Sequence, residues 1–276
     1  MYQIKDDWLV FNDGFNKPLS NVVFPEGIQK VRFGYIFGYK FNRKMHNLPN
    51  SITHLTFGRD FNQDISKLPN SITHLTFGCH FNQEMHNLPN SLIYLKFGVC
   101  FNQEMHNLPN SLTHLTFGWC FNQEMHNLPN SLTHLIFGVH FNQEMRNLPN
   151  SLTHLTFSYC FNQKMHNLPN SLTHLIFGHD FNQDISQLPN SLTYIVFGYC
   201  FNQDVSQLPK SITYLNFNIL DDSNFNHNLN PYLYHLTEFY IKEDHKHKSL
   251  MLSRCRVNQH NGAIRNDKLI DLLLKN

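Results

Sequence analysis

Cysteine, histidine and aspartate recur at one position every twenty residues of this 276-residue chain, and these side chains are typical metal ligands. The series comprises Asp60, His80, Cys100, Cys120, His140, Cys160, Asp180 and Cys200. Four consecutive members have the ligand types of a structural zinc site, namely His80, Cys100, Cys120 and His140. A second series offers imidazoles that change charge near neutral pH, at His54, His74, His114, His134, His154 and His174. What either series can do depends on the elements that position it.

The same period of twenty residues organises most of the chain. Phe-Asn opens nine consecutive units between residues 41 and 220 without an insertion, and the unit at 101–120 reads FNQEMHNLPNSLTHLTFGWC. Diverged units occupy residues 15–40 and 221–241. A fixed period of this length indicates a repeat solenoid, in which each coil packs on its neighbours.

Each unit contains one predicted β-strand. Leu115 and Phe117 alternate with polar residues, Pro109 precedes this stretch and Gly118 ends it. Only about 11 residues remain before the next strand, which is too short for a crossover helix with its turns. The return path should therefore be extended or turn-like. We predict one strand per coil, paired in a parallel β-sheet on the concave face.

Two known repeat patterns resemble this unit. Leu112, Leu115, Phe117 and Cys120 take the first, fourth, sixth and ninth places of the leucine-rich-repeat template, although Asn122 stands where that template has leucine. The Phe-Asn opening followed by LPNSLTHLTFG is similar to the FNIP repeats of social amoebae and of giant viruses that infect amoebae. This similarity extends over roughly residues 15–241. It implies a leucine-rich-repeat-like fold and a link to ubiquitin ligases, because some proteins with similar repeats carry an F-box ahead of them.

In a solenoid each repeat position becomes a column along the molecule. The columns predicted to form the core are those of Leu112, Leu115, Phe117, Phe121 and Met125. The asparagine column from Asn42 to Asn202 is predicted to satisfy backbone groups of adjacent coils. The Cys/His/Asp column is interpreted as capping of the turn backbone.

Zinc binding along one column is disfavoured by distance. Adjacent strands lie about 4.8 Å apart, so four coils extend over roughly 14 Å. Zinc requires every ligand atom to lie about 2.0–2.3 Å from one centre. Four column members cannot converge in this way, although two neighbours and an outside ligand can. We therefore predict no metal site and no cofactor.

The columns predicted to be exposed on the concave face are those of His114, Thr116 and Gly118, with Trp119 beside them. They are rich in residue types that anchor protein interfaces. The predicted partner-binding residues are Tyr94, Lys96, His114, Trp119, His134, Ile136, His154, Tyr159, His174, Ile176, His179, Tyr194 and Tyr199. The alternative is that ladders of like side chains only stabilise neighbouring strands.

The two ends depart from the repeat. Residues 1–14 are predicted to form an N-terminal cap, in which residues 9–11 start the sheet. Residues 242–276 are predicted to form a polar linker and then a helix at 264–275, with Asn266 as its cap. That helix either seals the last coil or serves as a docking peptide.

Composition argues against several classes of protein. The net charge is +1 and the basic residues form no stripe outside a short run near 242–248, which disfavours binding to nucleic acid or anionic lipid. The N-terminus carries charges where a signal peptide is apolar, and no apolar run approaches the 18 or so residues that span a bilayer. Six cysteines without C-x-x-C spacing suit a reducing compartment. We expect a soluble cytoplasmic protein, in the host cytoplasm if the chain is viral.

The sequence indicates binding rather than catalysis. It contains no G-x-S-x-G, P-loop or H-E-x-x-H motif, and its histidines recur in most units, whereas a catalytic site is a single asymmetric cluster. We predict a monomeric, non-enzymatic scaffold for a protein partner. One alternative is a substrate receptor of a host ubiquitin ligase without its own F-box, since only 14 residues precede the first repeat. Another is a structural or self-assembling virion component.

Overall fold

A computed structural model describes residues 2–34 and 41–217 in full, and residues 238–243 and 248–251 as strands. The chain forms two compact units, Met1–Gln143 and Glu144–Asn276. Both are built from short strands that come from successive coils of the chain.

The first unit has eight strands among its described residues. They are β1 (Tyr2–Lys5), β2 (Trp8–Phe11), β3 (Lys30–Phe33), β4 (His54–Phe57), β5 (His74–Thr76), β6 (Tyr94–Lys96), β7 (His114–Thr116) and β8 (His134–Ile136). Strands β2 to β8 pair in parallel in chain order, and β1 pairs antiparallel with β2. From β4 to β8 each residue pairs with the residue twenty positions later, as His114 does with His134.

The second unit repeats this arrangement. Its described strands are β9 (His154–Thr156), β10 (His174–Ile176), β11 (Tyr194–Phe197), β12 (Tyr214–Phe217), β13 (Glu238–Glu243) and β14 (Lys248–Met251). Strands β9 to β13 pair in parallel in chain order, and β14 pairs antiparallel with β13. The prediction of a parallel solenoid with one strand per twenty-residue coil is confirmed in both units.

A single coil shows how the sequence produces this fold. The carbonyl of Pro109 accepts the N–H of Leu112 at 3.0 Å, which closes the turn ahead of the strand. The hydroxyl of Ser111 donates to the carbonyl of Leu92 in the preceding coil at 2.7 Å. Apart from the 3-10 turn Leu19–Asn21, the described residues form no helix, so the return path is extended or turn-like as predicted. None of these residues belongs to a helix long and apolar enough to cross a membrane.

Two files of phenylalanine lie at the centre of each unit. Within one coil the rings of Phe117 and Phe121 stack with centroids 3.7 Å apart. Phe121 also stacks on Phe101 at 6.1 Å and on Phe141 at 6.0 Å in the adjacent coils. Such ring pairs contribute about 0.5–1.5 kcal/mol each beyond the burial of their surface. The predicted core columns are buried, as shown by Leu112, Leu115, Phe117, Phe121 and Met125.

The asparagine column joins neighbouring coils on the return path. The Oδ1 of Asn102 accepts the backbone N–H of Asn122 at 2.8 Å, and the Oδ1 of Asn122 accepts that of Asn142 at 2.9 Å. The side-chain amide of Gln123 donates to the carbonyl of Asn102 at 3.1 Å. These bonds satisfy backbone groups that a loop without helix leaves unpaired, which is the structural role predicted for the column.

The return loop takes two forms that follow its sequence. Where it reads E-M-H-N, the asparagine adopts a left-handed backbone conformation, with φ of 54° at Asn107 and 53° at Asn127, and asparagine tolerates this better than most residues. Where it reads D-I-S, the aspartate bonds to the serine instead. Asp64 accepts the backbone N–H of Ser66 at 2.9 Å and its hydroxyl at 2.7 Å. These hydrogen bonds hold the pKa of Asp64 below its usual range.

The ends of the chain differ in part from the expectations. Strand β2 starts the parallel sheet as predicted for residues 9–11, but the antiparallel strand β1 ahead of it was not predicted. Strand β14 lies within the stretch expected to be a polar linker. The helix predicted at 264–275 and most of the diverged unit at 221–241 lie outside the described residues.

Candidate protein-binding face

The exposed face of the sheet in the first unit carries a column of aromatic rings. His54 and His74 stack with centroids 4.1 Å apart, and His114 and His134 stack at 4.2 Å. Tyr94 lies between these pairs, 5.8 Å from His74 and 6.2 Å from His114. The side chains are half-buried because each ring covers part of the next. We call this set, with its members in the second unit, the histidine column.

A threonine beside each of these imidazoles fixes the ring. The Oγ1 of Thr113 lies 2.8 Å from Nδ1 of His114 and donates to the carbonyl of Ile93 at 3.2 Å. The Oγ1 of Thr73 is likewise 2.9 Å from Nδ1 of His74 and 3.1 Å from a carbonyl of the preceding coil. The single hydroxyl proton goes to the carbonyl, so Nδ1 of the neutral ring carries the proton and donates to Oγ1. Nε2 is then the acceptor of each neutral ring.

Crowding makes two rings of the histidine column, those of His54 and His74, less basic. Burial lowers the pKa of His54 below the ordinary value of about 6.5, and the positive charges of His74 and Lys30 lower it further. Burial also lowers the pKa of His74, followed by the effect of His114. A proton on either ring therefore meets reduced hydration and a neighbour that repels it. These two rings are mainly neutral at pH 7.

The stability of the protein is expected to decrease as the pH falls from about 7.5 to about 5. The unfolded imidazoles take up protons near pH 6.5, whereas His54 and His74 in the folded state do so only at lower pH, so acid favours the unfolded state. The effect is at most about 1 kcal/mol, because solvent screens the charges of these half-buried rings. Carboxyls with lowered pKa, such as that of Asp64, titrate below this window. Thermal unfolding at the two pH values measures the difference.

The matched control for the pH effect is the double variant His54→Gln, His74→Gln. Glutamine keeps a polar side chain at both positions and does not titrate. Most of the decrease between the two pH values should disappear in this variant. An unchanged pH dependence would show that other groups are responsible.

In the second unit the histidine column contains two histidines followed by two tyrosines. His154 and His174 stack at 4.1 Å, Tyr194 lies 5.2 Å from His174, and Tyr214 stacks on Tyr194 at 4.1 Å.

A further column, which we call the flanking column, follows the end of each strand. Its members in the first unit include Val99 and Trp119, and Trp119 is 52% exposed. In the second unit Tyr159 is 49% exposed and stacks on His179 at 4.3 Å. The other side of the His179 ring stacks on Tyr199 at 5.0 Å. The flanking column therefore presents large aromatic surfaces beside the sheet.

The predicted binding residues differ in how far they reach solvent. The exposed members are Lys96, Trp119, Ile136, Tyr159 and Tyr199. The half-buried members are Tyr94, His114, His134, His154, His174, Ile176, His179 and Tyr194. Val196, which the strand alternation also placed on the exposed face, is buried with 6% exposure. It pairs with Ile176 and Asn216 on the adjacent strands.

The Cys/His/Asp column does not gather the four-residue zinc set considered from the sequence. Nδ1 of His80 lies 3.2 Å from Oδ1 of Asp60, in the preceding coil. Burial raises the pKa of the Cys100 thiol, and the nearby thiols of Cys79 and Cys120 raise it further. The described cysteines with free thiols are Cys79, Cys100, Cys120, Cys160 and Cys200.

Sequence reasoning missed one cluster, in the second unit. His179 of the flanking column and Asp180 and Cys200 of the Cys/His/Asp column bring one donor atom each to within 4.8 Å of one another. The sequence analysis allowed two neighbours of one column to share an ion with an outside ligand, but it did not identify His179 as the outside ligand of Asp180 and Cys200. The signal that could have revealed the cluster is a His-Asp pair followed twenty residues later by cysteine.

On the return path of the first unit, imidazole–carboxylate pairs border a polar hollow. Nε2 of His106 lies 3.1 Å from Oε2 of Glu104, and Nε2 of His126 lies 3.2 Å from Oε2 of Glu124. The hollow measures about 300 Å³ and is lined by Glu104, His106, Asn122, Gln123, Glu124, His126 and Gln143. The residues that line the hollow are polar and the hollow is open to solvent, whereas a typical small-molecule site is enclosed and mostly apolar.

Comparisons with known proteins agree on the type of repeat. A family model described as FNIP Repeat matches residues 41–80, 81–120, 101–126, 121–160, 161–200 and 185–219. The crystal structure of CroV588 from the giant virus CroV, described as a novel circular leucine-rich-repeat protein structure, is similar with a TM-score of 0.60 and 34% identity. That match covers 88% of this chain and 51% of CroV588, so the chain spans about half the length of that protein.

A second solved structure is more distant. YopM from Yersinia enterocolitica WA-314 matches with a TM-score of 0.44 and 21% identity, over 72% of this chain and 48% of YopM. A search of curated protein sequences gives no significant match.

Proposed function

The chain belongs to the FNIP repeat family, and on this basis we propose that it is a non-catalytic scaffold that binds a partner protein on the exposed face of its sheet. Repeat folds similar to leucine-rich repeats are typical of protein-interaction scaffolds, because stacked coils present an extended surface of side chains at fixed spacing. The proposed binding residues are the exposed and half-buried members of the histidine and flanking columns. They also include the members of the Thr116 column, namely Lys96, Ile136 and Ile176.

The observation that carries the proposal is the exposed apolar surface in the coils around Trp119. Trp119 and Val99 are exposed in the flanking column, and Ile136 is 41% exposed on the sheet. The fold does not require apolar side chains there, since Arg59 and Thr116 occupy the same two columns in other coils. Covering a tryptophan is favourable by a few kcal/mol, so a partner that buries this surface gains binding energy.

The histidine column supports the proposal through its rigidity. Stacking and the threonine hydrogen bonds hold His74, His114 and their neighbours in one arrangement before any partner arrives. Side chains that are already fixed lose little rotamer freedom on association, which reduces the entropic cost of binding. The Nε2 acceptors of neutral rings suit a partner that offers amide or hydroxyl donors near its apolar anchor.

Trp119→Ala is expected to weaken partner binding by about 30-fold or more, which corresponds to a hot spot of about 2 kcal/mol. The matched control is His126→Ala, which truncates an exposed ring on the return path of the first unit. The wild-type chain is used to purify interacting proteins from native cells. Each recovered protein is then titrated against the purified wild-type chain and both variants.

Binding that survives Trp119→Ala unchanged would contradict the proposal, provided that both variants melt like the wild type. The same purification separates the two alternative functions. Ubiquitin-ligase subunits recovered together with a substrate would indicate a ligase receptor. Recovery of the chain alone, in a form that assembles with itself, would indicate a structural component.

A further inference from the structure

His179 and Asp180, in the turn that follows β10, and Cys200, in the next coil, have the chemistry of a metal site. Nδ1 of His179 lies 2.6 Å from Oδ1 of Asp180 and 3.7 Å from Sγ of Cys200. Together the three donor atoms lie within 4.8 Å of one another. We propose that His179, Asp180 and Cys200 bind a divalent transition-metal ion of intermediate softness, such as Zn²⁺.

The distances between the donors suit such an ion after one small movement. Zinc bonds of about 2.0–2.3 Å in tetrahedral geometry place nitrogen and sulfur ligands roughly 3.6 Å apart and nitrogen and oxygen ligands roughly 3.3 Å apart. The His179–Cys200 distance of 3.7 Å therefore already fits. The Asp180 carboxylate, now hydrogen-bonded to the ring at 2.6 Å, has to move outward by less than about 1 Å. It is only half-buried, so a change in its side-chain torsions is sufficient.

The combination of ligand types favours zinc over calcium or magnesium. One imidazole nitrogen, one thiolate sulfur and one carboxylate oxygen are all ligands of zinc, whereas calcium and magnesium take oxygen ligands. On binding, the Cys200 thiol releases its proton to solvent. The proton on Nδ1 of His179 is also lost from that atom, and the neutral ring then carries its proton on Nε2.

The surrounding coils hold these ligands in place. The His179 ring lies between the rings of Tyr159 and Tyr199, at 4.3 Å and 5.0 Å, which restricts its rotation. The backbone N–H of Asp180 donates to the carbonyl of Tyr159 at 2.9 Å, and that of Cys200 donates to the carbonyl of His179 at 2.8 Å. Ligands on a fixed backbone lose little freedom when the ion binds.

The fourth position of the ion is left for water. Cys160 occupies the same column as Asp180, one coil earlier, but it lies two coils before Cys200 and is not among the donors that lie within 4.8 Å of one another.

The equivalent positions in the first unit provide an internal control. They carry Cys79, His80 and Cys100. Among the residues that the structure describes, only the His179 cluster brings three such donor atoms within 4.8 Å. His80 is instead 3.2 Å from Asp60. Removing the thiol of Cys100 should therefore leave metal binding unchanged.

The test is a titration of the full chain, stripped of metal and kept reduced, with Co²⁺ as a coloured probe for zinc. We expect one equivalent to bind with tetrahedral absorption bands and a thiolate-to-cobalt charge-transfer band, and Zn²⁺ to displace it. His179→Gln, Asp180→Asn and Cys200→Ser should each weaken binding by more than about tenfold, since even outer partners of a metal site contribute about that much. Cys200→Ser should also reduce the charge-transfer band, and Cys100→Ser should change neither quantity.

Circular dichroism of the metal-free variants checks that each one folds. No cobalt binding, or equal loss in Cys100→Ser and Cys200→Ser, would overturn the proposal. If Cys200→Ser fails to fold, the Asp180→Asn variant provides the test. Unchanged cobalt binding in Asp180→Asn would also overturn the proposal.

Discussion

Phe121→Ala is expected to lower the free energy of unfolding by about 3–5 kcal/mol, the usual cost of removing a large core side chain. The Phe121 ring is fully buried and stacks on four others, Phe117 in its own coil and Phe101, Phe137 and Phe141 in the adjacent coils. Its removal leaves a cavity at both coil interfaces at once. In a solenoid, stability is the sum of coil and interface contributions, so both losses count.

The measurement for Phe121 is denaturant unfolding followed by circular dichroism. Phe121→Leu keeps most of the volume and should lose only about 1–2 kcal/mol. The surface control His126→Ala should change the stability by no more than about 0.5 kcal/mol. If Phe121→Ala lowered the free energy of unfolding by less than about 1 kcal/mol, the two columns of phenylalanine rings would not form the core of the protein.

Gly118→Val is expected to destabilise the first unit by about 2–3 kcal/mol through overpacking. A Cβ atom at Gly118 would overlap the backbone carbonyl of Gly98 in the preceding coil. That carbonyl belongs to the backbone and cannot rotate away like a flexible side chain, so the two coils have to separate locally. The branched side chain of valine adds to this displacement.

Gly14→Ala is the matched control for Gly118, because a Cβ at Gly14 meets no atom within 4 Å. It should change the melting temperature little. Ser158 occupies the Gly118 column in the second unit, which shows that this column accepts a small side chain in one coil. Gly118→Ser should therefore be milder than Gly118→Val. Equal stability of Gly118→Val and the wild type would contradict the close approach of the two backbones.

The core could be predicted from the sequence because the repeat supplies many examples of each position. Met45, Ile65 and Val205 exchange in one column, and all three are buried. Such exchange is typical of a packed apolar site, where volume matters more than chemical detail. The role of the asparagine column could also be predicted. A loop without helix has backbone groups that need hydrogen-bond partners, and a side-chain amide can provide them.

The exposure of the binding face could not be predicted from one column at a time. Ile136 is exposed and Ile176 is half-buried, although both occupy the same repeat position. Ile176 pairs with Thr156 and Val196 on the adjacent strands, whereas Ile136 pairs with Thr116 on the strand before it. Exposure on a packed sheet depends on the size of the neighbours across the strands.

The His179 cluster escaped prediction for a related reason. Its three donors come from two columns, and they meet only because the side chains of His179 and Asp180 turn towards the same point. Side-chain torsions of half-exposed residues depend on local contacts, here the stacking on Tyr159 and Tyr199. The alternation of residues along a strand does not contain that information.

The offset of twenty residues between paired strands of the intact repeats has a consequence for the way in which the gene can change in length. Deleting residues 101–120 would join Cys100 to Phe121, the same junction that Cys120 makes with Phe121 in the intact chain. Leu95 would then take the place opposite Leu135 that Leu115 has in the intact chain, so the register of the two strands would be kept. Recombination between misaligned gene copies can therefore lengthen or shorten the protein by whole units, whereas gaining or losing one residue would turn polar side chains into the interior.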